Sequence, residues 1–327
     1  MSTSALPSPA TPLGFGQIMD RIFRLMRANF WQLFKVSAPA MALQAALLLA
    51  IGGAVVLIFT PWDPPLQEQM VLRIVFIAAA ALAYYLISLL VYALYLPAAF
   101  HAALAAEAGQ PVDFRVSYAA AFAKAGRYIG LMLLFLLIVA GPVLLLMALA
   151  GGAIAMAALA AKASGNPAAM VAFIPLLPLL YILALVYSVL ATLWLAVAYP
   201  ASVAEDLPAW AAIRRSVRLT EGGRGRLFLV LLIVYAATYI ATMLVECVIF
   251  AVGAIGFLLG LAMHLTMNPW GFVGIGLGVL LLLVAIYLLM TVIMSVYSVA
   301  LTVFYRDQRL RKEGAAPVAA PAVNPAV

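Results

Sequence analysis

The chain has 327 residues, 68% of them hydrophobic and only 9% charged, with a net charge of +7. Soluble domains carry about 25% charged residues, so a water-soluble globule is excluded and the surplus apolar surface requires lipid as its solvent. A single cysteine, Cys247, excludes an internal disulfide framework and a cysteine-based zinc cluster.

Met1–Gly14 is rich in Pro and Ser and carries no Lys or Arg before a short apolar core, so it reads as a disordered tail and not as a cleavable signal peptide. Six apolar runs follow, near Val36–Phe59, Met70–Leu96, Ile129–Leu149, Met170–Ala198, Leu227–Ala251 and Phe272–Val303. They are continuous and mostly exceed the roughly 20 residues of a spanning helix, whereas barrel strands read as alternating segments of about ten residues. Helices are therefore predicted. Thr60–Gln69, Lys162–Pro167 and His264–Trp270 separate the runs within each pair. The third run is expected to be interrupted at Gly141 and Pro142, and the fifth to continue to about Leu261 through Gly253 and Gly256. Gly314–Val327 is a second low-complexity tail, which leaves 15–313 as the membrane domain.

Of the 18 Lys and Arg residues, only Arg73 and Lys162 fall outside one set of connecting segments. By the positive-inside rule that set is cytoplasmic, and so are both termini. The same rule explains the net positive charge without nucleic acid as a partner.

A short amphipathic stretch precedes each pair of runs. Phe15–Phe34 has Ile18, Ile22, Leu25, Met26 and Leu33 on one face and Asp20, Arg24 and Arg27 on the other. Asp113–Tyr128 gathers Phe114, Tyr118, Ala121 and Phe122, and Pro208–Thr220 gathers Trp210, Ile213 and Val217 away from its arginines. The spacing follows i, i+3/i+4, i+7, and the basic flanks suit helices lying in the membrane interface. The predicted fold is all-α: six transmembrane helices in three parallel hairpin repeats, each preceded by a cytoplasmic interfacial helix.

Three segments carry a family resemblance. Glu205-Asp206-Leu207-Pro208 followed by Arg214-Arg215-Ser216-Val217-Arg218-Leu219-Thr220-Glu221-Gly222 follows a pattern E-G…P…R-R-S-x-R-L-T-x-G, with Asp206 where the pattern has glycine. Tyr305-Arg306-Asp307-Gln308-Arg309-Leu310-Arg311-Lys312-Glu313-Gly314 is similar to Y-Y-D-L-R-x-R-K-E-G, and Ile18–Arg24 with Asn29-Phe30-Trp31 to an opening helix I-L-D-x-A-F-x-L-Y-R-x-N-F. Together they resemble the bacterial glycerophosphoryl diester phosphodiesterase membrane-domain family. The resemblance implies a module of the bacterial cytoplasmic membrane. The soluble phosphodiesterase domain of some relatives has no counterpart in these residues, so no phosphodiesterase activity is implied.

Arg214, Arg215 and Arg218, with Arg309 and Arg311, are the candidate site for anionic lipid headgroups or a phosphorylated ligand, because guanidinium forks match phosphate oxygens. Glu205 and Asp307 are candidate ion-pair partners, and an Asp307 pair with Arg214 or Arg218 is expected. Glu246 is the one acid inside an apolar run, an ionisable group that points to transport if it lies deep. His101 reads as interfacial and His264 as solvated. The tyrosines on the runs, and the glycines 253, 256, 260, 274 and 278, read as helix packing. No catalytic constellation, metal cluster or cofactor motif stands out. The leading expectation is a non-enzymatic membrane module that binds lipids or scaffolds a protein partner at the cytoplasmic face. The alternatives are a transporter or channel and, more remotely, an enzyme on glycerophosphodiester or phospholipid substrates.

Overall fold

The computed structural model describes residues 11–59, 67–165, 176–262 and 269–314. Among them every regular element is a helix: α1 Phe15–Phe59, α2 Gln67–Glu107, α3 Phe114–Ala123, α4 Ala125–Ser164, α5 Leu176–Leu195, α6 Ala198–Ala204, α7 Ala209–Thr220, α8 Arg224–Ala262 and α9 Pro269–Glu313. Six helical stretches among the described residues are long and apolar enough to cross a membrane. The tail residues 1–10 and 315–327, His264 and parts of the three separators (60–66, 166–167 and 264–268) lie outside the described residues, as do the surroundings of the five glycines on α8 and α9.

The long helices are longer than the apolar runs. At about 1.5 Å per residue the 45 residues of α1 exceed the roughly 30 Å of hydrocarbon about twofold. Part of that length is the amphipathic stretch Phe15–Phe34, which joins the first span across a kink and without an intervening loop. The kink is a break in helical geometry at Asn29 (φ −121°, ψ 23°), whose side-chain amide donates to the Leu25 carbonyl oxygen. The expected interruption of α4 at Gly141 and Pro142 is absent; α4 is helical from Ala125 to Ser164. A missing N–H is tolerated in spanning helices where neighbouring groups satisfy the backbone, and α1 and α2 likewise continue through Pro39 and Pro97. The real break lies between α3 and α4. Asp113 caps α3 by accepting from the backbone N–H groups of Arg115 (2.6 Å) and Val116 (3.2 Å), and Lys124 (φ −125°, ψ 28°) separates the two helices.

Packing concentrates at the basic end, where α2, α6 and α9 touch one another. α1 lies against α2 and α9, α4 against α2 and α5, and α8 against α9 and sparsely α5. The core holds Tyr95, Phe100, Leu131, Leu195, Leu219, Leu227, Phe304 and Tyr305, all at most 2% exposed. Ser37 joins α1 to its neighbours: its Oγ lies 3.0 Å from the Tyr95 hydroxyl and 2.9 Å from the Ser295 Oγ.

The opposite end is different. Leu72, Leu137, Leu144, Met156, Leu159 and Tyr239 are more than 60% exposed. In water each such leucine forgoes roughly 1.5–3 kcal/mol of burial; in hydrocarbon that cost vanishes. The exposed apolar belt and the six long helices define the class: an all-helical, multi-pass membrane protein.

Candidate functional site

At the basic end, carboxylates at or near the ends of α2, α6 and α9 collect cations from other elements. Glu107 is 1% exposed and accepts from Arg21 Nε at 3.0 and 3.1 Å, with Arg306 Nη1 at 3.7 Å. Glu205 accepts from Arg215 Nε (3.0 and 2.8 Å), from Arg215 Nη2 (2.9 Å) and from the Tyr305 hydroxyl (2.6 Å). Asp206 receives Lys124 and, at 2.6 Å, Arg127 Nη1. Asp307, whose side chain is fully buried, takes Arg311 Nε at 2.8 Å, Arg226 Nη1 at 3.4 Å and the Leu13 backbone N–H at 2.8 Å.

The expected Asp307 pair with Arg214 or Arg218 is therefore corrected. Both arginines point outward from α7, while Arg226 and Arg311 fill the space round Asp307. Arg311 also donates to the Leu13 carbonyl oxygen.

The five candidate arginines divide in two. Arg215 is locked between Glu205 and Glu313; those hydrogen bonds, Glu313 first, push its pKa above the usual arginine value. Arg309 pairs with Glu313 at 3.1 Å and Arg311 with Asp307. Arg214 and Arg218 are exposed and make no ion pair among the described residues. They follow Trp210, 55% exposed, at four-residue intervals on the outer face of α7, opposite buried Ala212, Ile213, Ser216 and Leu219. A like pairing occurs on either side of the Asn29 kink of α1, where exposed Phe23 with Arg27, and Trp31 with Lys35, stand one turn apart.

Glu246 is exposed and makes no ion pair among the described residues. It lies 20 positions after Arg226, about 30 Å along α8, which is a full hydrocarbon thickness. It lines neither of the two cavities described next. His101 is buried, with its Nδ1 3.4 Å from the Ser117 Oγ.

Above the packed end is a central cavity of about 280 Å³, lined by Phe100, Met132, Leu195, Tyr199, Tyr235, Tyr297 and other apolar residues of α2, α4, α5, α6, α8 and α9. A second cavity of similar volume lies between α5 and α8. Sequence reasoning missed both, as it missed the Arg21–Glu107–Arg306 cluster and Arg224. Only the presence of acids among the basic flanks could have flagged the cluster. Among the described residues no group of His, Cys, Asp and Glu side chains could hold a metal ion. No family model, curated protein or solved structure matches the chain.

Proposed function

We propose that this protein is a non-enzymatic, lipid-binding module of the bacterial cytoplasmic membrane, with its basic end in the cytoplasm. In this reading the architecture is three parallel hairpin units, each led by an amphipathic stretch. The packing of α1, α4 and α8, each against two of the partners α2, α5 and α9, supports that arrangement. The positive-inside bias supports the orientation.

One observation carries the functional reading. Trp210, Arg214 and Arg218 form an exposed stripe with no described counter-ion, one residue away from an arginine held by two carboxylates. A tryptophan beside two unpaired guanidinium groups fits the headgroup layer, where the indole takes the apolar–polar boundary and the arginines take phosphate oxygens.

Native mass spectrometry of the full chain, released gently from membranes, tests it. Wild type is expected to retain anionic phospholipid, and the Arg214→Ala/Arg218→Ala double variant to retain measurably less of it. Equal retention in both would reduce these arginines to topology signals and overturn the reading.

A further inference from the structure

The sparse contact between α5 and α8 leaves a groove of about 280 Å³, lined mainly by Ser188, Thr192, Leu193, Phe228, Leu231 and Tyr235. Tyr235 also lines the central cavity, and its ring centroid lies 6.4 Å from that of Tyr297 on the α9 wall. Groove and cavity therefore meet at one tyrosine. Tyr235 is 53% exposed, so this junction is reached from the side of the bundle, within the apolar belt.

A charge lies next to the groove, toward the basic end, though it does not line it. Arg224 opens α8 one turn before Phe228 and two before Leu231, hence on the same helix face. Its guanidinium carbon lies 5.7 Å from the ring centroid of Trp194, the residue after Leu193. Arg224 makes no ion pair among the described residues, and neither its buried Nε nor the buried Nε1 of Trp194 has a hydrogen-bond partner there. A buried donor left unsatisfied costs about 1–3 kcal/mol, so two adjacent ones call for an acceptor.

The two features select one chemistry. Arg224 with Trp194 asks for an anionic oxygen, and the groove beyond asks for hydrocarbon. Water or a free phosphate satisfies the first and leaves the second empty. The groove wall is mainly apolar, with few polar partners for water, so an apolar guest suits it better. The solvent around the apolar belt is itself made of molecules with an anionic headgroup and an alkyl chain.

We propose that the α5–α8 groove is a lateral binding site for an anionic phospholipid. Its phosphate lies against Arg224 and Trp194, and one acyl chain passes Leu193, Phe228 and Leu231 to reach Tyr235 and the central cavity. The proposal rests on the reading of the protein as a lipid binder, but assigns it a site apart from Arg214 and Arg218.

The test uses the full chain in phosphatidylcholine bilayers doped with phosphatidylglycerol that carries a photoactivatable diazirine in mid-chain. Cross-linked peptides are mapped by mass spectrometry. Labelling is expected to concentrate on residues 188–193 and 228–235. Arg224→Gln should lower it about tenfold, as expected for one charge-assisted hydrogen bond, and Leu231→Trp should lower it by filling the groove. Arg214→Ala/Arg218→Ala should leave it in place. Labelling spread evenly over the lipid-facing sides of α1 and α4, or unchanged by Arg224→Gln, would overturn the site. If the site fails while the Arg214/Arg218 variant still loses lipid in native mass spectrometry, the headgroup reading stands without the groove. Loss of both results would remove lipid binding altogether.

Discussion

Arg21 and Glu107 stand 86 positions apart in the chain, yet Arg21 Nε lies 3.0 Å from Glu107 Oε1 with the two side chains only 8% and 1% exposed. The pair fixes the start of α1 to the end of α2, and Arg306 of α9 approaches the same carboxylate. A buried ion pair is weak evidence of net stabilisation, but removing one partner strands the other charge. Glu107→Ala leaves two guanidinium groups facing each other without their shared anion. It should destabilise the protein by about 3–5 kcal/mol, read as an earlier thermal unfolding transition in detergent. Glu107→Gln should fall between this variant and wild type.

Arg215 and Arg214 are neighbours with opposite roles. Arg215→Ala breaks the links to Glu205 and Glu313 and should cost about 1.5–3 kcal/mol, the range for hydrogen bonds to charged groups. Arg214→Ala touches only exposed surface and should stay within about 0.5 kcal/mol of wild type. Unfolding curves of the two single variants check the contrast. Equal losses would show that Arg214 also has a structural partner.

Much of the fold was legible because lipid imposes a simple rule: a run of apolar residues longer than about 20 becomes a helix. The same rule hid where the helices end. At Pro142 the local signal for a break is overridden by the continuous backbone hydrogen bonding that hydrocarbon demands. At Asn29 helical geometry fails without any proline. The amphipathic faces could be read from spacing, and Ile18, Ile22, Leu25 and Leu33 are indeed buried. The pairing of charges could not, since nothing local tells that Asp307 meets Arg226 and Leu13 while Arg214 meets solvent. Arg224 was overlooked for a similar reason. It looks like one more topology charge until Trp194 is seen beneath it.

Tyr95 tests how much polar contacts contribute between the spans. Its hydroxyl meets Ser37 Oγ in a buried cluster with Ser295. Interhelical hydrogen bonds in membrane proteins average about 0.6 kcal/mol and reach about 1.7. Tyr95→Phe should therefore cost about that little, measured by reversible unfolding in mixed micelles. A loss several times larger would mean that the hydroxyl organises more than this one contact.

Asp206 combines backbone and charge in one residue. Its φ of +55° lies in the left-handed region that favours glycine. Asp tolerates this conformation better than most residues. Hydrogen bonds from Lys124 and then Arg127 hold its carboxyl below the ordinary value of 3.8. A carboxyl depressed in the folded state stabilises the fold fully above its unfolded value, and that contribution disappears as pH falls through the lower folded value. The side chain is 64% exposed, so the effect is screened by solvent and salt. Melting temperature followed from pH 6 down to about pH 3 should fall less steeply in Asp206→Asn than in wild type, because the variant has no carboxylate to protonate there. Asp206→Ala should lose the same pH-dependent part and, in addition, be less stable at neutral pH than Asp206→Asn, because alanine resists the positive φ. Identical acid limbs in all three proteins would show that Lys124 and Arg127 contribute nothing through Asp206.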